Sequence, residues 1–165
     1  MNTDDGPHRA TSRTTLVVDT PRRLRRSELQ QFAERARRAA NLPGAVSVLL
    51  TTSEKLRGFN RRYRQKNKAT DVLSFPSDLP GSSGDLAISV DIAAEQAARL
   101  GHSLTKEICV LILHGMLHLA GHDHEADVGE MAALEARVRR RFGLPLSLTE
   151  RGDEVRRPQV SRSRT

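Results

Sequence analysis

The stretch Thr105 to Gly121, TKEICVLILHGMLHLAG, decides how the rest of the chain reads. From Thr105 to Ala120 apolar residues fall on almost every side of a helical wheel, the pattern of a helix enclosed by other elements. Gly121 follows and stops it. Inside this helix sit His114 and His118, and burying an imidazole is costly unless its nitrogens are satisfied. Residues i and i+4 share one helix face, so the two rings point the same way and can hold one ion between them. A turn at Gly121 lets the chain come back so that His124 closes a third corner. Three protein nitrogens with a fourth position open is how catalytic zinc is held, here one ion per chain. His122 reads as a neighbour of that set rather than a ligand. Asp123 reads either as a carboxylate that orients an imidazole or as a turn residue.

Working outward, TTLVVDT (14–20) and AVSVLLTT (45–52) are β-branched runs and read as strands. Between them RRSELQQFAERARRAAN carries Leu29, Phe32, Ala33 and Ala36 at helical spacing, with Ser27 as the expected N-cap. SEKLRGFNRRYRQ (53–65) is a charged helix with Leu56, Phe59 and Tyr63 along one side. DVLSFP and SSGDLAISV are short strands, and DIAAEQAARLG is a helix with Gly101 just past its end. EADVGEMAALEARVRRRFG reads as a last amphipathic helix with Met131, Leu134, Val138 and Phe142 inward. Strands and helices interleave without strict alternation. The expected class is α+β, a small mixed central sheet packed with about five helices, with the zinc site on the buried central one.

The 165 residues suffice for one domain with a real core, and no linker or repeat divides them. The expected organisation is a flexible tail at 1–13, one domain at 14–150, and a basic tail at 151–165 that holds five arginines and two acids. No apolar leader opens the chain, and the run ICVLIL is far too short to span a bilayer, so no membrane partner is expected. Cys109, the one cysteine, lies in that run and reads as a small core residue. No disulfide can form within the chain, and a cytoplasmic address fits. The net charge of +7 and pI near 10.6 favour an anionic partner.

The spacing H-x-x-x-H-x-x-G-x-x-H is that of metzincin proteases, with one departure. Gly115 stands where those enzymes carry the glutamate that acts as general base, which argues against peptide hydrolysis by that route. The basic segment Lys55 to Lys68, KLRGFNRRYRQKNK, supplies a better substrate. Lys55, Arg57, Arg61, Arg62, Arg64, Lys66 and Lys68 come with no acid between them, the composition of a phosphate-binding track. Aromatic residues make up only 3%, so stacking platforms for bases are expected to be scarce. Affinity should then come from phosphates, with weak base readout and strong salt dependence. Asp85, Asp123 and His122 are open choices for a general base, and Asp85 reads equally as a turn residue opening a strand.

FNRRYRQKNKATDVLSFP, GDLAIS and HGMLHLAGHDH together resemble, in order, three signature blocks of the YbeY family of bacterial rRNA-maturation endoribonucleases. The likeness runs from about Leu16 to Phe142. It implies an α+β fold, a zinc-dependent endoribonuclease specific for single strands, and work on 16S rRNA 3′ processing and ribosome quality control at the small subunit. By that resemblance His114, His118 and His124 match the family's metal ligands, and Arg64 its arginine in the "YR" element. His114 and Arg64 are thereby the expected catalytic residues, with Arg61, Arg62, Arg64, Lys66 and Lys68 binding substrate. Two other readings compete: an assembly factor whose zinc is structural, and the metalloprotease that Gly115 argues against.

Overall fold

The computed structural model describes residues 13–65, 70–122 and 129–151, without the side chain of Arg64. Nine elements follow one another among them: β1 (Thr14–Asp19), α1 (Arg26–Ala39), β2 (Ala45–Thr51), α2 (Ser53–Arg64), β3 (Val72–Pro76), β4 (Ser82–Ser89), α3 (Val90–Leu100), α4 (Leu104–Leu119) and α5 (Glu130–Arg141). One further helical turn lies at 148–151. The sheet order is β1-β2-β4-β3, with β1, β2 and β4 parallel and β3 antiparallel to β4 along one edge. A mixed α+β fold forms, as expected.

Helix α4 is central. It is buried without a break from Glu107 to Leu117, packs on β3 and β4, and touches α1, α3 and α5. Its start is capped by the Ser103 hydroxyl, which accepts from the Lys106 amide at 3.2 Å. Its end is a Schellman turn: the His122 amide donates to the Leu117 carbonyl and the Gly121 amide to the His118 carbonyl. Gly121 takes φ +91° there, a conformation that glycine adopts without strain, so the stop expected at this residue is real.

Helix α2 lies on the opposite face. Successive strand residues point to opposite sides, and β4 sends Leu86 and Ile88 into the main core while Ala87 joins a smaller cluster with Leu56 and Leu73. Covered on both faces, β4 is buried continuously from Leu86 to Ser89 rather than in alternation.

On α1 the expected face, Leu29, Phe32, Ala33 and Ala36, is buried. The expected cap is not made. Arg25 occupies the N-cap without a side-chain bond, and Ser27 falls inside the first turn. The helix is instead secured to β1 by polar side chains. Gln30 donates to the Thr14 carbonyl and accepts from the Leu16 amide, completing the outer edge of the sheet. Glu34, only 8% exposed, accepts from the Thr14 hydroxyl at 2.6 Å and from Arg37 at 2.7 and 3.1 Å.

Those bonds, Arg37's first among them, hold the Glu34 carboxyl down at about 2 against an ordinary 4.5. The resulting stabilisation is complete above pH 4.5 and drains away as pH falls toward 2. Urea midpoints measured between pH 6 and 2.5 should therefore fall, and Glu34→Gln should flatten that fall while lowering the plateau. An equally steep fall in the variant would remove Glu34 as a source.

Two residues at the margins of the expected tails are tied to the domain. Arg13 donates through its amide to Glu34 and through its guanidinium to the Pro43 carbonyl. Arg151 makes a two-pronged ion pair with Glu107 at 2.7 and 2.9 Å. Glu107 is fully buried on α4 and also bonds His102. Cys109 is buried in the core, and burial pushes its thiol up to about 12, which leaves it unreactive. Among the described residues no helix is long and apolar enough to cross a membrane.

Candidate metal centre

One turn of α4 carries the two imidazoles to the edge of the sheet. The Nε2 atoms of His114 and His118 lie 3.0 Å apart, with ring planes at 72°. His114 is 7% exposed, and its Nδ1 bonds Glu135 Oε2 at 2.8 Å. A carboxylate that is ionised can only accept, so this bond favours the His114 tautomer with its proton on Nδ1 and its Nε2 lone pair toward His118. That is the arrangement of a metal-ligating histidine, whose far nitrogen is held by an outer carboxylate. Two imidazoles bound to one tetrahedral zinc at ~2.0–2.1 Å each have nitrogens roughly 3.3 Å apart, close to the separation here. The donor set fits a borderline-soft divalent ion.

Glu135 is a residue that the sequence pattern does not by itself reveal: its carboxylate bonds His114 Nδ1, while Asp123, the expected alternative for orienting an imidazole, lies outside the described residues. Glu135 is fully buried on α5, and its other oxygen receives the Thr149 amide at 3.5 Å. A signal was present. Met131, Glu135 and Val138 share the buried face of α5, so an acid falls on an otherwise apolar stripe. Glu135→Gln should keep the fold, since an amide fills the same space, and weaken metal binding about 10–100-fold. Zinc affinity measured by competition with a chromophoric chelator reads this directly, and unchanged affinity would leave Glu135 a packing residue.

The histidines open into a cleft of about 270 Å³ lined also by Asp71, Val72, Leu73, Ser74 and Pro76, the length of edge strand β3 and the residue before it. The Asp71 carboxylate accepts from the Gln96 amide at 3.4 Å. Asp85, one of the open choices for a general base, does not share the cleft. It is exposed on β4, opposite Ser47 and Phe75, and faces α2 with the sheet between it and the histidines.

Gly115 has a packing reason. A Cβ there would stand 2.8 Å from a Leu86 methyl, so any larger residue requires the buried Leu86 side chain to shift. A glutamate where a metzincin carries its general base would first have to displace that methyl.

Of the other expected site residues, Arg61 and Arg62 are exposed on α2, and together with Lys55 and Asp19 they line a shallow basin. Lys55 is ion-paired to Asp19 across it. Arg64 is the last residue of α2, before Gln65 in the left-handed conformation (φ 54°). Lys66, Lys68, Asp123 and His124 lie outside the described residues. Among the described residues no three metal-binding side chains converge, and the half-buried His122 does not join the pair.

An α+β fold that presents a supported histidine pair at a sheet edge defines a candidate hydrolytic metal centre. Residues 10–143 match the family model described as endoribonuclease YbeY, and the chain belongs to that family. Among curated relatives, the endoribonuclease YbeY of Koribacter versatilis is 61% identical over 123 residues, 74% of this chain and 81% of that protein. The Solibacter usitatus and Nautilia profundicola proteins of the same name are 50% and 45% identical, covering 79% and 66% of this chain and 88% and 80% of theirs. The fold also matches the solution structure of a Thermotoga maritima protein, with a TM-score of 0.54 and 22% identity over 90% of this chain and all of that one.

Proposed function

We propose that this protein is a zinc-dependent endoribonuclease that cuts single-stranded RNA in 16S rRNA 3′-end maturation and ribosome quality control. The observation that carries the reading is the His114–His118 pair backed by the buried Glu135, in a chain of the YbeY family. His114, His118 and His124 would hold one zinc ion. When bound, the metal supplies a Lewis acid for a phosphoryl oxygen. The chain's residues do the rest. Glu135 fixes the His114 ring and its proton. Arg64 binds the phosphate under attack and stabilises the charge it gains, while Arg61, Arg62, Lys66 and Lys68 guide the neighbouring backbone. Asp71, on the wall of the cleft, would take a proton, beside Asp123 and His122, which the sequence leaves open for the same role. The cytoplasmic ribosomal small subunit is the proposed partner.

The test is cleavage of a labelled single-stranded RNA by protein purified free of other nucleases. Cleavage should stop with a chelator, return with added zinc, and spare the same sequence in duplex form. Cutting that ignores the chelator, or none at all with zinc restored, refutes the reading.

A further inference from the structure

The chain has one tyrosine and four phenylalanines, and three of these five gather on the α2 face of the sheet. Tyr63 lies 6.3 Å from the Phe59 ring and 5.8 Å, edge to face, from Phe75. Phe59 and Phe75 are half-buried, and Tyr63, near the end of α2, is 60% exposed. The three rings border a recess of about 420 Å³ whose floor is β2 and β4. Its walls are apolar, and its exposed polar side chains are Ser47 and Asp85, directly opposite one another across the two strands. The Arg62 guanidinium sits 5.6 Å from the Tyr63 ring, and Phe59 is shared with the basin of Arg61, Arg62 and the Lys55–Asp19 ion pair.

An aromatic recess with Arg62 at its rim and, among the described residues, Asp85 as its one carboxylate is complementary to a nucleobase joined to phosphate. The ring system stacks, the rim meets the anion, and the carboxylate accepts base N–H groups. The bases differ in what they offer a carboxylate. Guanine presents two adjacent donors, N1–H and its 2-amino group, which match two carboxylate oxygens. Adenine, cytosine and uracil present no such pair. The recess is also well placed. On β3, Phe75 borders it and the neighbouring Ser74 borders the histidine cleft, so a single edge strand separates the two. An RNA strand crossing that edge can leave one base on the α2 face and a nearby phosphate at the cleft.

We propose that this recess binds one guanine base of the RNA substrate, stacked on Tyr63, with Asp85 accepting its N1–H and 2-amino hydrogens. The inference rests on the RNA reading above and adds a base preference to it. It also amends the expectation of scarce stacking platforms, because few aromatic residues suffice when the fold gathers them.

Tyr63 is the sole tyrosine of a chain without tryptophan, so intrinsic fluorescence reports this ring alone. GMP should quench it saturably, and UMP should need roughly tenfold more. Asp85→Asn should bring GMP down to the level of UMP. Tyr63→Leu should weaken binding of a labelled single-stranded RNA, read by anisotropy, about 5- to 150-fold, and Tyr63→Phe should retain it. RNA that binds and is cut while Tyr63 stays unquenched, and Tyr63→Leu binds normally, overturns the stacking site and leaves the RNA reading intact. Quenching without any preference for GMP, unaltered in Asp85→Asn, overturns the guanine assignment. No RNA binding and no cleavage overturn both readings together.

Discussion

His114→Ala is expected to purify without zinc, to cut RNA no faster than chelated wild type, and to unfold more readily than its His118→Ala counterpart. The first two effects follow from the loss of one ligand from a three-ligand set. The third follows from Glu135. Its carboxylate is fully buried and bonded to His114 Nδ1. Removing the ring leaves that buried acceptor without its donor, a loss of about 1–3 kcal/mol, or more for a charged group. His118 is part-buried beside the same cleft, and its removal leaves Glu135 with its partner. Zinc per chain, cleavage rate and urea midpoint, measured on both variants, separate the two roles. Equal midpoints would mean that the carboxylate finds other partners. Retained zinc in either variant would overturn the ligand assignment. His114→Ala with Glu135→Gln should recover part of the lost stability without recovering zinc, because an amide costs less to bury than a charge.

Much of this architecture was legible in the sequence, because its strongest patterns are apolar. The all-round burial of Ile108 to Leu113 identifies α4 as the central helix. The i, i+4 spacing of His114 and His118 identifies the pair, and Gly121 its end. What escaped the pattern is polar and long-range. Glu34, Glu107 and Glu135 are acids on buried helix faces, each with a partner far along the chain: Thr14 for Glu34, in addition to its helical neighbour Arg37, Arg151 for Glu107 and His114 for Glu135. Their placement on apolar stripes is the trace they leave. Ser27 shows the opposite error, since a good capping residue two positions late caps nothing once tertiary contacts set where α1 begins. Gly115 had a chemical reading, a missing glutamate, and the fold adds a steric one through Leu86. Asp85 reads alike in sequence whichever face of the sheet it occupies, and only strand register places it away from the histidines.

Arg64→Glu should leave zinc content and folding nearly unchanged while cutting RNA cleavage by at least about 10²- to 10³-fold. Arg64 closes α2, on an element that contributes none of the three proposed ligands, so metal holding and phosphate handling can fail separately. The size of the loss follows from the role proposed for it. A donor aimed at charge that develops in the transition state is typically worth about 2.7–4 kcal/mol, and reversing its charge adds repulsion of the phosphate. Arg64→Lys should also be poor, because an ammonium cannot grip two phosphate oxygens with a planar fork. Arg61→Ala, by contrast, should weaken binding modestly and lower the salt slope by about one phosphate, the mark of a residue that only follows the backbone. The contrast is measurable as kcat against KM: Arg64 variants should lose kcat, and Arg61→Ala should mainly raise KM. Cleavage by Arg64→Glu at the wild-type rate would reduce Arg64 to a surface residue. Transition-state charge would then have to be met by the metal and the cleft alone.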